Sequence, residues 1–204
     1  MENTNFFAQF ENLDGNLKLQ IVSLFKPVVF EKHEYLLKKD DISQKIFFIE
    51  SGVVAEIKYA DGNADIDEDI EAERMIVNWM AGENEWIYQV KSFHNNEPSE
   101  CAIKALEKVK AFYILKNDFL DARQNSLEIS DFVFKLYDLY LVKLEKRNNF
   151  LRLKSASQRL EYFEKDQRHL CNTLPQKYIA SYLNISPSEL SRIRKRRSRQ
   201  ISPY

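Results

Sequence analysis

A chain of 204 residues with 44% apolar content can bury one large core or two modest ones. No apolar run reaches membrane-spanning length, and the opening MENTNFFAQFENLDG has no basic segment followed by an apolar one, so neither a membrane span nor a secretory leader is expected. The net charge of −1 conceals a split: residues 150–204 hold 12 Lys/Arg against 4 Asp/Glu, the remainder 18 against 27, so a basic end is joined to an acidic body.

Residues 5–26 place Phe6, Phe7, Phe10, Leu13, Leu17, Ile21, Leu24 and Phe25 at helical spacing, and Pro27 closes this lead-in helix. From Val28 to Leu115 the period changes. Val28–Phe30, Tyr35–Leu37, Ile46–Ile49, Val53–Ile57, Met75–Trp79, Cys101–Leu106 and Ala111–Leu115 are short β-favouring runs. Turn signals such as Ser51-Gly52, Asp61-Gly62-Asn63 and Ala81-Gly82-Glu83 separate them. Many short strands with regular turns predict a jelly roll or barrel. The acidic run from Asp61 to Glu73 reads as a solvated hairpin loop, since its ligand order and glycine placement do not fit a calcium loop.

Asp118 to Phe150 returns to helix. Ile129, Phe132, Val133, Phe134, Leu136, Tyr137, Leu139, Tyr140, Leu141, Val142 and Leu144 leave almost no polar face. Such a helix must be covered on both sides, by its own barrel and by the same helix of a second copy. The expected interface residues are Ile129, Phe132, Val133, Leu136, Tyr140 and Leu144. A further helix follows over Leu151–Asp166, and His169–Thr173 links it to the last motif. Cys101 and Cys171 form no paired motif, and His33, His94 and His169 have no metal-ligand spacing, so all five read as structural or surface residues.

The sharpest local signals lie in LPQKYIASYLNISPSELSRIRKRR, Leu174 to Arg197. Ile179 and Leu183 share one face of a first helix, and Leu190 and Ile193 one face of a second. Ala180 is small where two helices would cross. Asn184 suits a left-handed turn residue. Ser186, Pro187 and Glu189 make a capping box with proline at the first helical position. The exposed side then carries Ser188, Ser191, Arg192, Lys195 and Arg199, short polar groups and cations of the kind a major groove accepts. The alternative is a surface helical hairpin with a solvated charge run.

The order of elements resembles the CRP/FNR family of bacterial transcription regulators over essentially the whole chain. Asp40-Asp41-Ile42-Ser43 through Ile46-Phe47-Phe48-Ile49-Glu50-Ser51-Gly52-Val53 is similar to the family's barrel signature, and Asp61-Gly62 to its next hairpin. Glu97-Pro98 resembles the phosphate-cassette loop. Ser155-Ala156-Ser157-Gln158-Arg159-Leu160 resembles the segment opening the DNA-binding domain. Tyr178 to Leu183 and Leu190 to Ile193 resemble the helix-turn-helix. The resemblance implies an α+β chain. Residues 1–116 form a cyclic nucleotide-binding-like β-barrel or jelly roll, 117–150 a dimerisation helix, and 151–204 an all-α, winged-helix-like helix-turn-helix domain with a reduced or absent wing.

It also implies a cytoplasmic homodimer, not an enzyme, that binds a palindromic double-stranded operator and, as an activator, RNA polymerase. Arg192 matches the base-reading arginine. Gln176, Lys177, Ser186, Ser188, Ser191, Lys195 and Arg196 complete the expected DNA-binding set. Pro187 and Ser188 depart from the family's usual Arg and Glu, so the half-site sequence does not carry over. In the nucleotide pocket the Gly-Glu pair is missing, and Ser99 and Glu100 stand where an arginine is expected. A phosphate buried without a cation is costly, so cyclic AMP is not expected to bind in the usual mode. Trp86, Tyr88, Lys91 and Ser99 remain as candidates for an effector pocket, with barrel core the competing role for the aromatics. No cofactor is implied, and an unknown small-molecule effector stays open. The competing function is a ligand-sensing or protein-interaction module that does not bind DNA.

Overall fold

The computed structural model describes residues 9–11, 13–59 and 75–201. Phe6 and Phe7 of the lead-in, the Asp61–Glu73 run and the Asp61-Gly62 turn lie outside the described residues, as does the side chain of His169. The elements are α1 (Gly15–Ser23), β1 (Lys26–Phe30), β2 (Tyr35–Leu37), β3 (Lys45–Ser51), β4 (Val54–Tyr59), β5 (Met75–Ala81), β6 (Glu85–Ile87), α2 (Val90–Asn95), β7 (Ala102–Ala105), β8 (Val109–Leu115), α3 (Lys116–Asn125), α4 (Leu127–Leu151), α5 (Ala156–Asp166), α6 (Arg168–Thr173), α7 (Gln176–Tyr182) and α8 (Pro187–Ile201). They divide into two compact units. The first comprises residues 1–58 and 78–137, the second residues 59–77 and 138–204.

The first unit is built on two four-stranded antiparallel sheets, with strand orders β1-β8-β3-β6 and β2-β7-β4-β5. Among the described residues they pack face to face as a jelly-roll sandwich. Phe47, Ile49, Ile87, Val109 and Ala111 of one sheet meet Val54, Ala81, Ile103 and Ala105 of the other. Alternate residues of the first sheet point the opposite way. Ile46, Phe48 and Ile114 pack against Phe10, Ile21, Phe93, Phe119, Ile129 and Val133, so helices cover its outer face. A strand buried on both faces loses the polar alternation of a half-exposed one. That accounts for the unbroken apolar run Ile46–Ile49.

Gly52 carries the tight turn between β3 and β4. Its φ is +93°, and a Cβ there would lie 2.5 Å from the Lys108 carbonyl oxygen. The strand β6 has only three residues and falls below the length at which an apolar run signals a strand. Its turn is made locally: Asn84 adopts a φ of 67°, and the Gly82 N–H donates to the Glu85 carboxylate at 2.9 Å. The helix expected from Asp118 to Phe150 is two helices. Ser126 is extended, and its hydroxyl accepts from the Ile129 N–H at 3.2 Å, capping the start of α4.

The second unit gathers the end of α4 with α5 to α8. Phe150, Leu160, Phe163, Leu170, Leu174, Tyr178, Ile179, Leu183, Leu190 and Ile193 are buried. The helix α5 starts on a full capping box, Ser155 with Gln158. Ser181 of α7 donates its hydroxyl to the Met75 carbonyl at 2.7 Å and accepts from the Val77 N–H at 2.9 Å, which satisfies two backbone groups of β5.

Candidate nucleic-acid interface

The helices α7 and α8 are joined by a short turn whose chemistry is local. Asn184 takes the left-handed conformation, with φ 54°. The Ile185 N–H then reaches back to the Ala180 carbonyl at 3.0 Å, and the Leu183 N–H to Ile179 at 2.9 Å, closing the end of α7. Ala180 is fully buried at the crossing, as its size requires. The Ser186 hydroxyl accepts from the Glu189 N–H at 3.1 Å and lies 2.9 Å from the Ser188 hydroxyl. It therefore caps α8.

Leu190 and Ile193 fix which side of α8 faces inward. Two arginines on that side also bind protein. Arg197 donates to the Glu164 carboxylate at 2.8 Å and to the Ser157 carbonyl at 2.5 Å, and Arg194 reaches the Cys171 carbonyl at 3.4 Å. Ser188, Arg192 and Lys195 follow the helical period on the opposite side, and all three are exposed, as is the flanking Arg196. Ser191 is half-buried. At the start of α7, Gln176 is exposed, and Lys177 is half-buried with its ammonium 5.6 Å from the centre of the Tyr178 ring. The structure thus brings the expected DNA-binding residues together on α7, the turn and α8. It also separates the basic tail into cations that hold the helix and cations that face out.

A third arginine holds the turn. Arg159 of α5 donates from Nε to the Leu183 carbonyl at 2.8 Å, from Nη1 to the Leu153 carbonyl at 2.7 Å and from Nη2 to the Asn184 carbonyl at 3.4 Å. Nearby, the Arg147 guanidinium lies 3.6 Å from the centre of the Tyr182 ring and 5.1 Å from that of Phe150. Burial lowers the Arg147 pKa, and Tyr182 opposes that shift. Sequence reasoning missed Arg147, Arg159, Arg194 and Arg197 as positioning groups. For the last three the only signal was an arginine in an amphipathic segment, because the acceptors lie far off in sequence.

The four candidate effector residues have separate packing and hydrogen-bond partners. The Trp86 ring packs 5.0 Å from Phe48, 5.8 Å from Phe25 and 6.4 Å from Phe10, and the Tyr88 ring packs 5.1 Å from Phe93, all on the helix-covered face. Ser99 is buried and donates to the Cys101 carbonyl at 2.6 Å. Lys91 donates to Glu100 at 2.7 Å, while Lys58 holds the other carboxylate oxygen at 2.5 Å. Hydrogen bonds from Lys58 and then Lys91 pull the Glu100 pKa down to about 2. An open cleft of about 410 Å³ lies elsewhere, against β2 and the start of β3, with Leu37, Lys38, Lys45, Phe47 and Ile103 among its walls. Burial pushes the Cys101 thiol up to about 12 and the Cys171 thiol up to about 11, which disfavours thiolate chemistry at either. Among the described residues, no three His, Cys, Asp or Glu side chains are grouped to hold a metal ion.

No protein-family model and no curated protein matches the sequence. Solved structures do match. FixK2 from Bradyrhizobium japonicum superposes with a TM-score of 0.69 at 14% identity, over 86% of this chain and 85% of that one. A transcriptional regulator assigned to the crp/fnr family from Eubacterium rectale gives 0.68 at 14% identity, over 93% and 85%. This chain has the CRP/FNR fold. A CooA mutant from Carboxydothermus hydrogenoformans extends the CRP/FNR likeness to 98% of this chain and 85% of that one, with a TM-score of 0.64 at 16% identity.

Proposed function

We propose that this chain is a homodimeric, sequence-specific DNA-binding transcription regulator whose sandwich domain does not take cyclic AMP in the usual mode. The outward face of α8 carries the reading: Ser188, Arg192 and Lys195 face solvent while Arg194 and Arg197 bind protein on the other side. A helix held from behind and cationic in front suits the major groove, with Arg192 pairing to a guanine edge and Lys195 and Arg196 to phosphates. Gln176 and Lys177 would contact the backbone from α7. The ion cluster at Glu100 supports the ligand part, because Lys58 and Lys91 are already engaged by its carboxylate, and Lys91 also lies 4.0 Å from Glu97, so the cations beside Ser99 are neutralised by the chain's own carboxylates.

The exposed side of α4 supports the dimer. Ile129 and Val133 of the expected interface lie in the chain's own core, and Phe132, Leu136 and Tyr140 are half-buried. Leu144 of the expected interface is exposed, and with it an apolar stripe of Leu127, Phe134 and Leu141, seven residues apart, beside Leu144 and Leu151, again seven apart. Phe134 is 62% and Leu141 60% exposed in the single chain. A seven-residue double row is the seam of a two-stranded coiled coil, and a second copy supplies the same row.

Selection of bound genomic fragments by the purified protein tests the reading. Enrichment of one palindromic sequence is expected, and Arg192→Ala should relax one position per half-site by about 1–3 kcal/mol. Equal retention of all fragments overturns it. Calorimetry with cyclic AMP should show no micromolar binding.

A further inference from the structure

The second unit contains the end of α4 as well as the helix-turn-helix, although only four residues, Arg152–Ser155, connect α4 to α5. A linker of that length leaves several backbone torsions to be fixed. Local bonds fix some of them: the Arg152 N–H reaches the Asn148 carbonyl at 3.3 Å, and the Leu153 N–H the Phe150 carbonyl at 3.1 Å. Two guanidinium groups then span the joint. Arg159 bonds the linker through the Leu153 carbonyl and the helix-turn-helix turn through the Leu183 and Asn184 carbonyls. Arg147 projects from α4 itself onto the face of Tyr182, the last residue of α7. Its Nε and Nη1 are buried without a hydrogen-bond partner. A buried cation with unpaired donors adds little net stability, so its effect lies in geometry. Only a planar, fork-shaped cation can stack on a ring in one case and bridge three carbonyls in the other.

We infer that Arg147 and Arg159 are positioning residues that lock the α7–α8 element to the end of α4, and thereby set the spacing between the two half-sites that the dimer accepts. The inference rests on the dimeric DNA-binding reading above. It goes beyond that reading in assigning spacing, and not half-site sequence, to residues that touch no DNA. In a symmetric dimer the half-site separation is a geometric property of the protein, about one helical turn of DNA or a multiple of it. A looser joint should accept neighbouring spacings while each recognition helix still reads the same bases.

The test uses the full chain and a library of the selected half-site in inverted pairs, with spacers varied over about one helical turn. The unsubstituted protein should enrich one spacer. Arg147→Gln, Arg159→Lys and Tyr182→Leu should keep the half-site sequence while the ratio of best to next spacer falls about tenfold, a change of roughly 1.4 kcal/mol. Tyr182→Phe keeps the ring and loses only the hydroxyl that bonds Arg147, so it should lower the ratio less than Tyr182→Leu. If Arg147→Gln does not fold by thermal unfolding, Arg147→Lys, which retains the charge and loses the plane, makes the same comparison. Folded variants that retain the original spacer ratio overturn the inference, as do variants that lose half-site sequence and spacing together. If the unsubstituted protein enriches no inverted pair at all, the DNA-binding reading itself fails.

Discussion

The Arg197 guanidinium donates to the Glu164 carboxylate at 2.8 Å, so one of the cations in the Arg-Lys-Arg-Arg run on α8 serves α5 and not a ligand. The pair is partly shielded, with side-chain exposures of 24% and 37%, and the same arginine also takes the Ser157 carbonyl. Charge-assisted bonds of this kind contribute about 1.5–3 kcal/mol when partners are held in place. Arg197→Ala should therefore lower the unfolding midpoint of the helical unit. Arg192→Ala, whose side chain is exposed, should leave that midpoint within about 0.5 kcal/mol of the original and act on DNA specificity alone. Denaturation curves of both variants, read beside their DNA affinities, separate the two roles.

How much of this was legible depended on the range of the physics. Asn184 and Ser186 were readable because a left-handed turn and a helix cap are decided within a few residues. The opposite roles of Arg192 and Arg197 were not, since Glu164 is 33 residues away. On α4 the pattern was too rich: apolar on nearly every side, it could not say which row meets the sheet. Packing decides that. Ile129 and Val133 fill the space over Phe48 and Ile114, and the row through Phe134 and Leu141 is left outward. The strand β6 escaped because Trp86 and Ile87 make too short a run.

The two faces of α4 should part cleanly under mutation. Phe134→Glu and Leu141→Glu place charge in the seven-residue seam and should give monomers by analytical ultracentrifugation, with the fold retained. Ile129→Ala empties a core site and should cost about 2–5 kcal/mol of stability. A dimer that survives both glutamate substitutions sinks the proposed seam.

Gly52 should tolerate no side chain. Its positive φ disfavours any L residue, and the Cβ would press on the Lys108 backbone, which has no flexible end to move aside. Gly52→Ala should lose about 1–3 kcal/mol in chemical denaturation. An unchanged midpoint would mean that the β3–β4 turn can shift away from Lys108.

Glu100 gives the sandwich an acid-sensitive contact. Its folded pKa, about 2, lies below its ordinary value of 4.5, chiefly because Lys58 and then Lys91 donate to the ionised form. A carboxylate with a depressed folded pKa stabilises the native state above its ordinary pKa and loses that contribution as pH falls through the folded one. The window here runs from about 4.5 down to about 2. The group is solvent-exposed, so salt should weaken the effect throughout. Thermal unfolding of the protein and of Glu100→Gln should therefore differ at neutral pH, in low salt, and converge as pH falls through that window. Curves that run parallel down to the acid end would assign the acid sensitivity to other carboxylates and remove Glu100 as the anion that Lys58 and Lys91 hold.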